Sequence, residues 1–87
     1  MNNQVNKCIE LLELNGWVKL KEDGYISMYK NNAIRVDFDY GGHMYFIGAE
    51  GDFLTKKIDY YTLIGVLIHY RQLPINFKEA DHVKQSV

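Results

Sequence analysis

The chain has 87 residues, 47 % hydrophobic and 24 % charged, with ten basic residues against eleven acidic ones and a formal net charge of -1. This is globular composition for a single small domain, which excludes a disordered chain, a strongly basic nucleic-acid binder and an acidic DNA mimic. A lone cysteine excludes an intramolecular disulfide.

From Asn3 to Asn15, Val5, Cys8, Ile9 and Leu12 recur at helical spacing with Lys7, Glu10 and Glu13 between them. Asn15-Gly16 supplies a left-handed stop, so the first element is an amphipathic helix. Cys8 falls in its apolar pattern, which reads as a buried, inert thiol in a reducing cytoplasm. No run of 18 apolar residues, secretory leader or N-x-Ser/Thr acceptor is found, and the expectation is a soluble cytoplasmic protein with no membrane association.

Four extended segments follow, Trp17–Lys21, Tyr25–Tyr29, Ala33–Tyr40 and His43–Ala49, separated by Asp-Gly, Asn-Asn and Gly-Gly. They predict an antiparallel meander. Three-residue loops keep apolar residues together, pairing Leu20 with Ile26, Val18 with Met28, Met28 with Ile34 and Ile26 with Val36. In that register Val18, Leu20, Ile26, Met28, Ile34, Val36 and Phe38 line the core. Trp17, Lys19, Lys21, Tyr25, Ser27, Tyr29, Arg35, Asp37 and Asp39 then face outward. Asp37 and Asp39 thus read as a solvated strand face rather than a catalytic acid pair, and Gly41-Gly42 suits a type I′ turn. His43–Ala49 has no clearly polar side, so it is either covered on both faces or a contact surface.

Phe53–Ile58 reads as a fifth strand or an irregular connection. Asp59 is a fitting N-cap for "YYTLIGVLIHYRQL". On a wheel of 100° per residue, Val66, Tyr70, Leu63, Leu67, Tyr60, Ile64, Ile68 and Tyr61 cover about 220°. That exceeds the stripe a surface helix needs, and predicts burial on more than one side. Gly65, in the strip with Thr62 and His69, implies close approach by another backbone, and Pro74 ends the helix. The fold expected is α+β: an N-terminal helix, a four- or five-stranded antiparallel meander, and a C-terminal helix packed on one face. Residues 1–74 form the domain and 75–87 a polar tail or short extra helix.

Chemistry-bearing constellations are sparse. His43, His69 and His82 fall in three elements without ligand spacing, so neither a metal nor a cofactor is expected. No glycine loop precedes a helix N-terminus, so no phosphate cradle is expected either. His43 beside Asp39 could form an acid/base pair, although exposed turns commonly hold such pairs. The outward face is richer. Trp17, Tyr25, Tyr29, Arg35 and Tyr45 are residue types enriched at binding hot spots, and with Asp37 and Asp39 they make up the candidate partner-binding set. The two carboxylates would repel phosphates, which favours a protein partner over nucleic acid.

Two resemblances bear on function. "NKCIELLELNGWVKLKEDG", with the later strands and "DYYTLIGVLIHY", resembles the HicA family of toxin ribonucleases, α-β-β-β-α proteins of the double-stranded-RNA-binding type. The family's Gly-Ser-His stretch is replaced here by Gly24-Tyr25-Ile26, with no histidine from Lys7 to Gly42. The likeness therefore implies RNA binding or cleavage without its histidine. In organisation alone, the chain resembles small phage-encoded inhibitors, anti-CRISPR proteins among them. That implies a non-enzymatic inhibitor or accessory factor of phage or mobile-element origin, which occludes a partner protein's surface. Self-association as a homodimer, through the C-terminal helix or the sheet, is the accompanying expectation.

Overall fold

The computed structural model describes residues 3–22, 25–30, 34–48, 50–74 and 76–80, with the backbone alone for Asn3, Lys21, Glu22 and Tyr25. Asp23-Gly24 and Asn31-Asn32, where turns are expected, and Ala33, Ala49, Ile75 and residues 81–87 with His82 lie outside them. Helix α1 (Asn3–Leu14) leads into strands β1 (Val18–Glu22), β2 (Tyr25–Lys30), β3 (Ile34–Asp39), β4 (His43–Gly48) and β5 (Phe53–Lys57), then helix α2 (Tyr60–His69). The strands form one antiparallel sheet in the order β1-β2-β3-β4-β5. The architecture is α+β, and Phe53–Lys57 is a true fifth strand. No described helix is long and apolar enough to cross a membrane.

Both helices cover the same side of the sheet. Val5, Cys8, Leu11 and Leu12 of α1 and Tyr60, Leu63 and Leu67 of α2 join Ile26, Met28, Ile34, Val36, Phe38, Met44 and Phe46 in one core. The inner faces of β2 and β3 are those that alternation predicts. Their register differs by two residues, with Met28 opposite Val36 and Ile26 opposite Phe38. A shift of two leaves every side chain on its expected face, because the strand period is two. In β4 the buried side is Met44 and Phe46. Cys8 is fully buried, and loss of hydration, aided by the negative charge of Asp59, pushes its thiol up to about 12.

The first strand is where sequence patterning misleads. Trp17, expected on the outward face, is only 2 % exposed, while Val18 and Leu20, expected in the core, are 55 % and 54 % exposed. The cause lies at the end of α1. Gly16 takes φ 101°, its N–H donates to the Glu13 carbonyl at 3.3 Å, and the Trp17 N–H donates to the Leu12 carbonyl at 2.9 Å. This is a Schellman closure, which ordinarily brings the residue after glycine against the last helical turn. The indole is thereby delivered inward. A register shift between Lys19 and Lys21 marks a β-bulge, and it breaks the strict alternation on which the expectation rested. The Trp17 Nε1 has no hydrogen-bond partner among the described residues. The Lys30 ammonium sits 4.7 Å above the ring centroid, a cation–π contact that holds the aliphatic stem over the indole.

Helix α2 starts as expected and ends early. The Asp59 carboxylate accepts from the Thr62 N–H at 2.9 Å and from its hydroxyl at 3.0 Å, satisfying one of the orphan donors of the first turn. The helix stops at His69, well before Pro74. Arg71 adopts φ 61°, its N–H donates to the Ile68 carbonyl, and the Gln72 N–H donates to Leu67 at 2.7 Å. This is a second Schellman closure, built on an arginine, so no glycine marks it in the sequence. Tyr60, Leu63 and Leu67 are buried, whereas Tyr61 and Ile68 are 73 % and 49 % exposed. One face of the apolar arc is therefore core and one edge is open. Beyond the helix's own backbone and Gly65's chain neighbours, no described atom lies within 4 Å of where a Cβ on Gly65 would stand, which corrects the inferred close approach of another backbone.

Polar contacts tie the ends of the chain to this core. The Gln4 Oε1 accepts from the first N–H of α2, on Tyr60, at 2.8 Å. The Tyr60 hydroxyl accepts from the Ala80 N–H at 2.8 Å, and the Asn15 side chain donates to the Lys78 carbonyl and accepts from its N–H. With Leu73 and Ala80 buried and Phe77 against the core, the segment after Pro74 runs without a helix over residues 76–80 and is docked on the domain.

Two outcomes check this account. Trp17→Ala is expected to lower the unfolding free energy by about 3–5 kcal/mol in denaturant titration, the range for deleting a buried aromatic, whereas a surface tryptophan would cost little. Gly65→Ala is expected to raise it by about 1 kcal/mol, since the alanine gains helix propensity and meets open space; a loss would restore the close neighbour.

Candidate functional site

Both helices lie on one side, and among the described residues the other face of the sheet is formed by the strands' own side chains. Cross-strand partners share a face in an antiparallel ladder, so the registers can be read across all five strands. Val18 stands opposite Tyr29, Tyr29 opposite Arg35, Arg35 opposite Ile47, and Ile47 opposite Phe53. One lateral row thus holds a valine, a tyrosine, an arginine, an isoleucine and a phenylalanine. At roughly 4.8 Å per strand it spans about 19 Å. Val18 and Phe53 at its ends are 55 % and 61 % exposed, Arg35 is exposed, and Tyr29 and Ile47 are half-buried.

The adjoining row is polar and self-satisfied. Ser27 is opposite Asp37, Asp37 opposite Tyr45, and Tyr45 opposite Thr55. The Ser27 hydroxyl donates to the Asp37 Oδ1 at 2.7 Å, and the Arg35 Nε lies 3.2 Å from the same oxygen. Ser27 and Asp37 point outward as expected, yet both are buried, which corrects the idea of a solvated strand face. The reason is lateral crowding on interior strands, and a charge-assisted bond at that depth requires an ordered partner. The bidentate reach of Arg35 is only partly used here, and its side chain remains 46 % exposed.

Asp39 lies in the next row, and the structure gives it a turn-forming role. Its Oδ1 accepts from the Gly41 N–H at 3.0 Å and the His43 N–H at 2.9 Å, and its Oδ2 accepts from the Tyr45 hydroxyl at 2.6 Å. The loop has three residues, and only Gly42 has positive φ, at 95°. The type I′ turn is therefore replaced by a carboxylate-capped loop with one left-handed glycine. The Tyr45 hydroxyl first, and then the His43 amide, hold the Asp39 carboxyl below the usual carboxylate range, while Asp39 pushes the Tyr45 phenol up. Both Asp39 oxygens are thus engaged, one by two loop amides and the other by a phenol, and its bond to His43 is made to the backbone N–H.

Of the candidate residues, Tyr29, Arg35, Asp37, Asp39 and Tyr45 are assembled on one face. Tyr25 pairs with Asp39 through the backbone, and its side chain lies outside the description. Trp17 leaves the set for the core. Sequence reasoning missed Phe53, whose ring lies 5.9 Å from that of Tyr45, and the exposure of Val18. The available signal was the Glu50-Gly51-Asp52 turn, which pairs Phe53 with Ile47. Among the described residues no group of three or more His, Cys, Asp or Glu side chains could hold a metal ion.

The fold and its face define a one-sided α+β sheet protein with an open surface of mixed apolar and polar rows. Comparison of the chain with protein-family models, with curated proteins and with solved structures gives no match.

The Asp39–Tyr45 bond sets a pH window. The depressed carboxyl contributes stability above its unfolded value, which is lost as pH falls through its folded one. The raised phenol contributes below its ordinary value, and that is lost as pH rises through its folded one. Tyr45→Phe is expected to move the Asp39 titration upward toward an ordinary carboxylate, read by carboxyl carbon NMR. An unmoved titration would assign the effect to the loop amides instead.

Proposed function

We propose that this protein is a non-enzymatic protein-binding factor that acts by laying the outer face of its sheet over a partner and occluding it. The single observation that carries the reading is the row Val18–Tyr29–Arg35–Ile47–Phe53, which crosses all five strands and leaves apolar side chains exposed at both ends. Aromatic rings and arginine contribute large contact area for little conformational entropy, which is why they dominate binding hot spots. The buried Ser27–Asp37 pair beside the row anchors one nitrogen of the exposed Arg35, and partial preorganisation of this kind lowers the ordering cost of association.

The organisation resembles small phage-encoded inhibitors, and occlusion of a protein surface is the mechanism that suits a chain of formal net charge -1. Charge mimicry of a nucleic acid would need a strong acidic excess. Binding of RNA through a HicA-like arrangement is opposed by Asp37 and Asp39 in the middle of the same face.

The test is capture of partners by the tagged protein from bacterial lysate, with and without nuclease, repeated with Arg35→Glu and Phe53→Asp. A stoichiometric protein that survives nuclease and is lost at least tenfold in both variants is the expected result, since hot-spot truncations cost about 2 kcal/mol or more. Retention of the partner by both variants, or salt-dependent recovery of RNA alone, overturns the reading.

A further inference from the structure

The two edges of the sheet are not equivalent. At β1 the bulge between Lys19 and Lys21 interrupts the ladder, a recognised way of blunting an edge. At β5 the pairing with β4 is regular over all five residues, from His43 opposite Lys57 to Ile47 opposite Phe53. Among the described residues, the other side of β5 has no neighbouring strand.

The backbone parity of that edge follows from two bonds. The Gly48 N–H donates to the Asp52 carbonyl and the Ile58 N–H donates to the Gly42 carbonyl, both at 2.9 Å. Hydrogen-bonding residues alternate along an antiparallel strand, so Asp52, Leu54, Lys56 and Ile58 turn their backbone groups toward β4. Phe53, Thr55 and Lys57 therefore present N–H and C=O groups at the open edge, and all three are exposed.

We propose that the β5 edge pairs antiparallel with β5 of a second copy of this chain, with Thr55 on the two-fold axis, to make one continuous ten-stranded sheet. The occupant is argued from register. A self-pairing must keep the outward-directed residues opposite one another, and only the register centred on Thr55 then pairs all five strand residues. It sets Phe53 against Lys57 of the second copy, Thr55 against Thr55, and Leu54 against Lys56, with about six backbone bonds. No two lysines face each other, and each is given an apolar partner for its stem. Moving the centre to Lys56 opposes two lysines directly, and moving it to Leu54 carries Lys57 past the strand to face Gly51, so either shift pairs fewer strand residues. Pairing at the edge leaves the outer face uncovered and extends its polar row through Tyr45 and Thr55 into the second copy. The inference stands apart from the sheet-face reading, because it rests on the edge.

The experiment uses the self-opposition of residue 55. Sedimentation equilibrium of the whole chain is expected to show a reversible dimer. Thr55→Lys and Thr55→Glu, both at an exposed position, are each expected to raise the dissociation constant at least tenfold with unchanged circular dichroism. An equimolar mixture of the two variants is expected to dimerise again, because lysine then faces glutamate across the axis. Amide exchange at Phe53, Thr55 and Lys57 should slow with protein concentration, while Leu54 and Lys56 are protected at any concentration. A monomer at all concentrations, a dimer undiminished in Thr55→Lys, or variants that fail to recover on mixing overturns the proposal.

Discussion

The bond from the Trp17 N–H to the Leu12 carbonyl determines which face of the sheet becomes core. It turns the chain at Gly16 so that the indole enters beneath α1, and it commits β1 to that side. An indole buries far more surface than valine, so once it is inside, Val18 is left facing out. The make-up of the outer face depends on this. Had Val18 and Leu20 been core, as alternation suggested, the row across the outer face would begin at Tyr29 and Trp17 would belong to the surface.

The opposite face shows how a small sheet can be open without being merely solvated. Ser27 and Asp37 lie on interior strands where flanking side chains shield them, and their bond leaves no buried hydroxyl unsatisfied. The cluster has a positional consequence, since the Arg35 Nε is held at 3.2 Å from Asp37 while the remainder of the guanidinium faces solvent. The pair itself contributes little stability at that exposure. Its value lies in presenting a partly ordered arginine between Tyr29 and Ile47.

The two helix ends complete the frame by similar means. Gly16 and Arg71 both close their helices in left-handed conformations, with backbone bonds to carbonyls of the last turn. The closure at Arg71 redirects the chain so that Leu73, Phe77 and Ala80 pack back on the core. Tyr60 joins this return to α1, accepting from Ala80 with its hydroxyl and donating to Gln4 with its backbone. Both helices are thereby kept on one side, and no described helix lies over the sheet's outer face or along its β5 edge.

Local pattern was enough for much of this build. The span of α1, the Asp59 cap of α2, and the inward residues of β2 and β3 follow from periods of 3.6 and 2 that side-chain geometry imposes on any chain, whereas the buried side of β4, apolar on both faces, was decided by packing. Five members of the candidate site, Tyr29, Arg35, Asp37, Asp39 and Tyr45, were legible for the same reason, because a register error of two residues preserves faces. Trp17, Val18 and Phe53 were not. A bulge and a Schellman closure reset the parity of β1, and the worth of Phe53 lies in standing beside Ile47, which is distant from it only along the turn of another strand pairing. An arginine at positive φ, likewise, gives no signal in composition. Periodicity is a property of neighbouring residues, but the row from Val18 to Phe53 exists only where five strands lie side by side, and that adjacency is set by tertiary pairing.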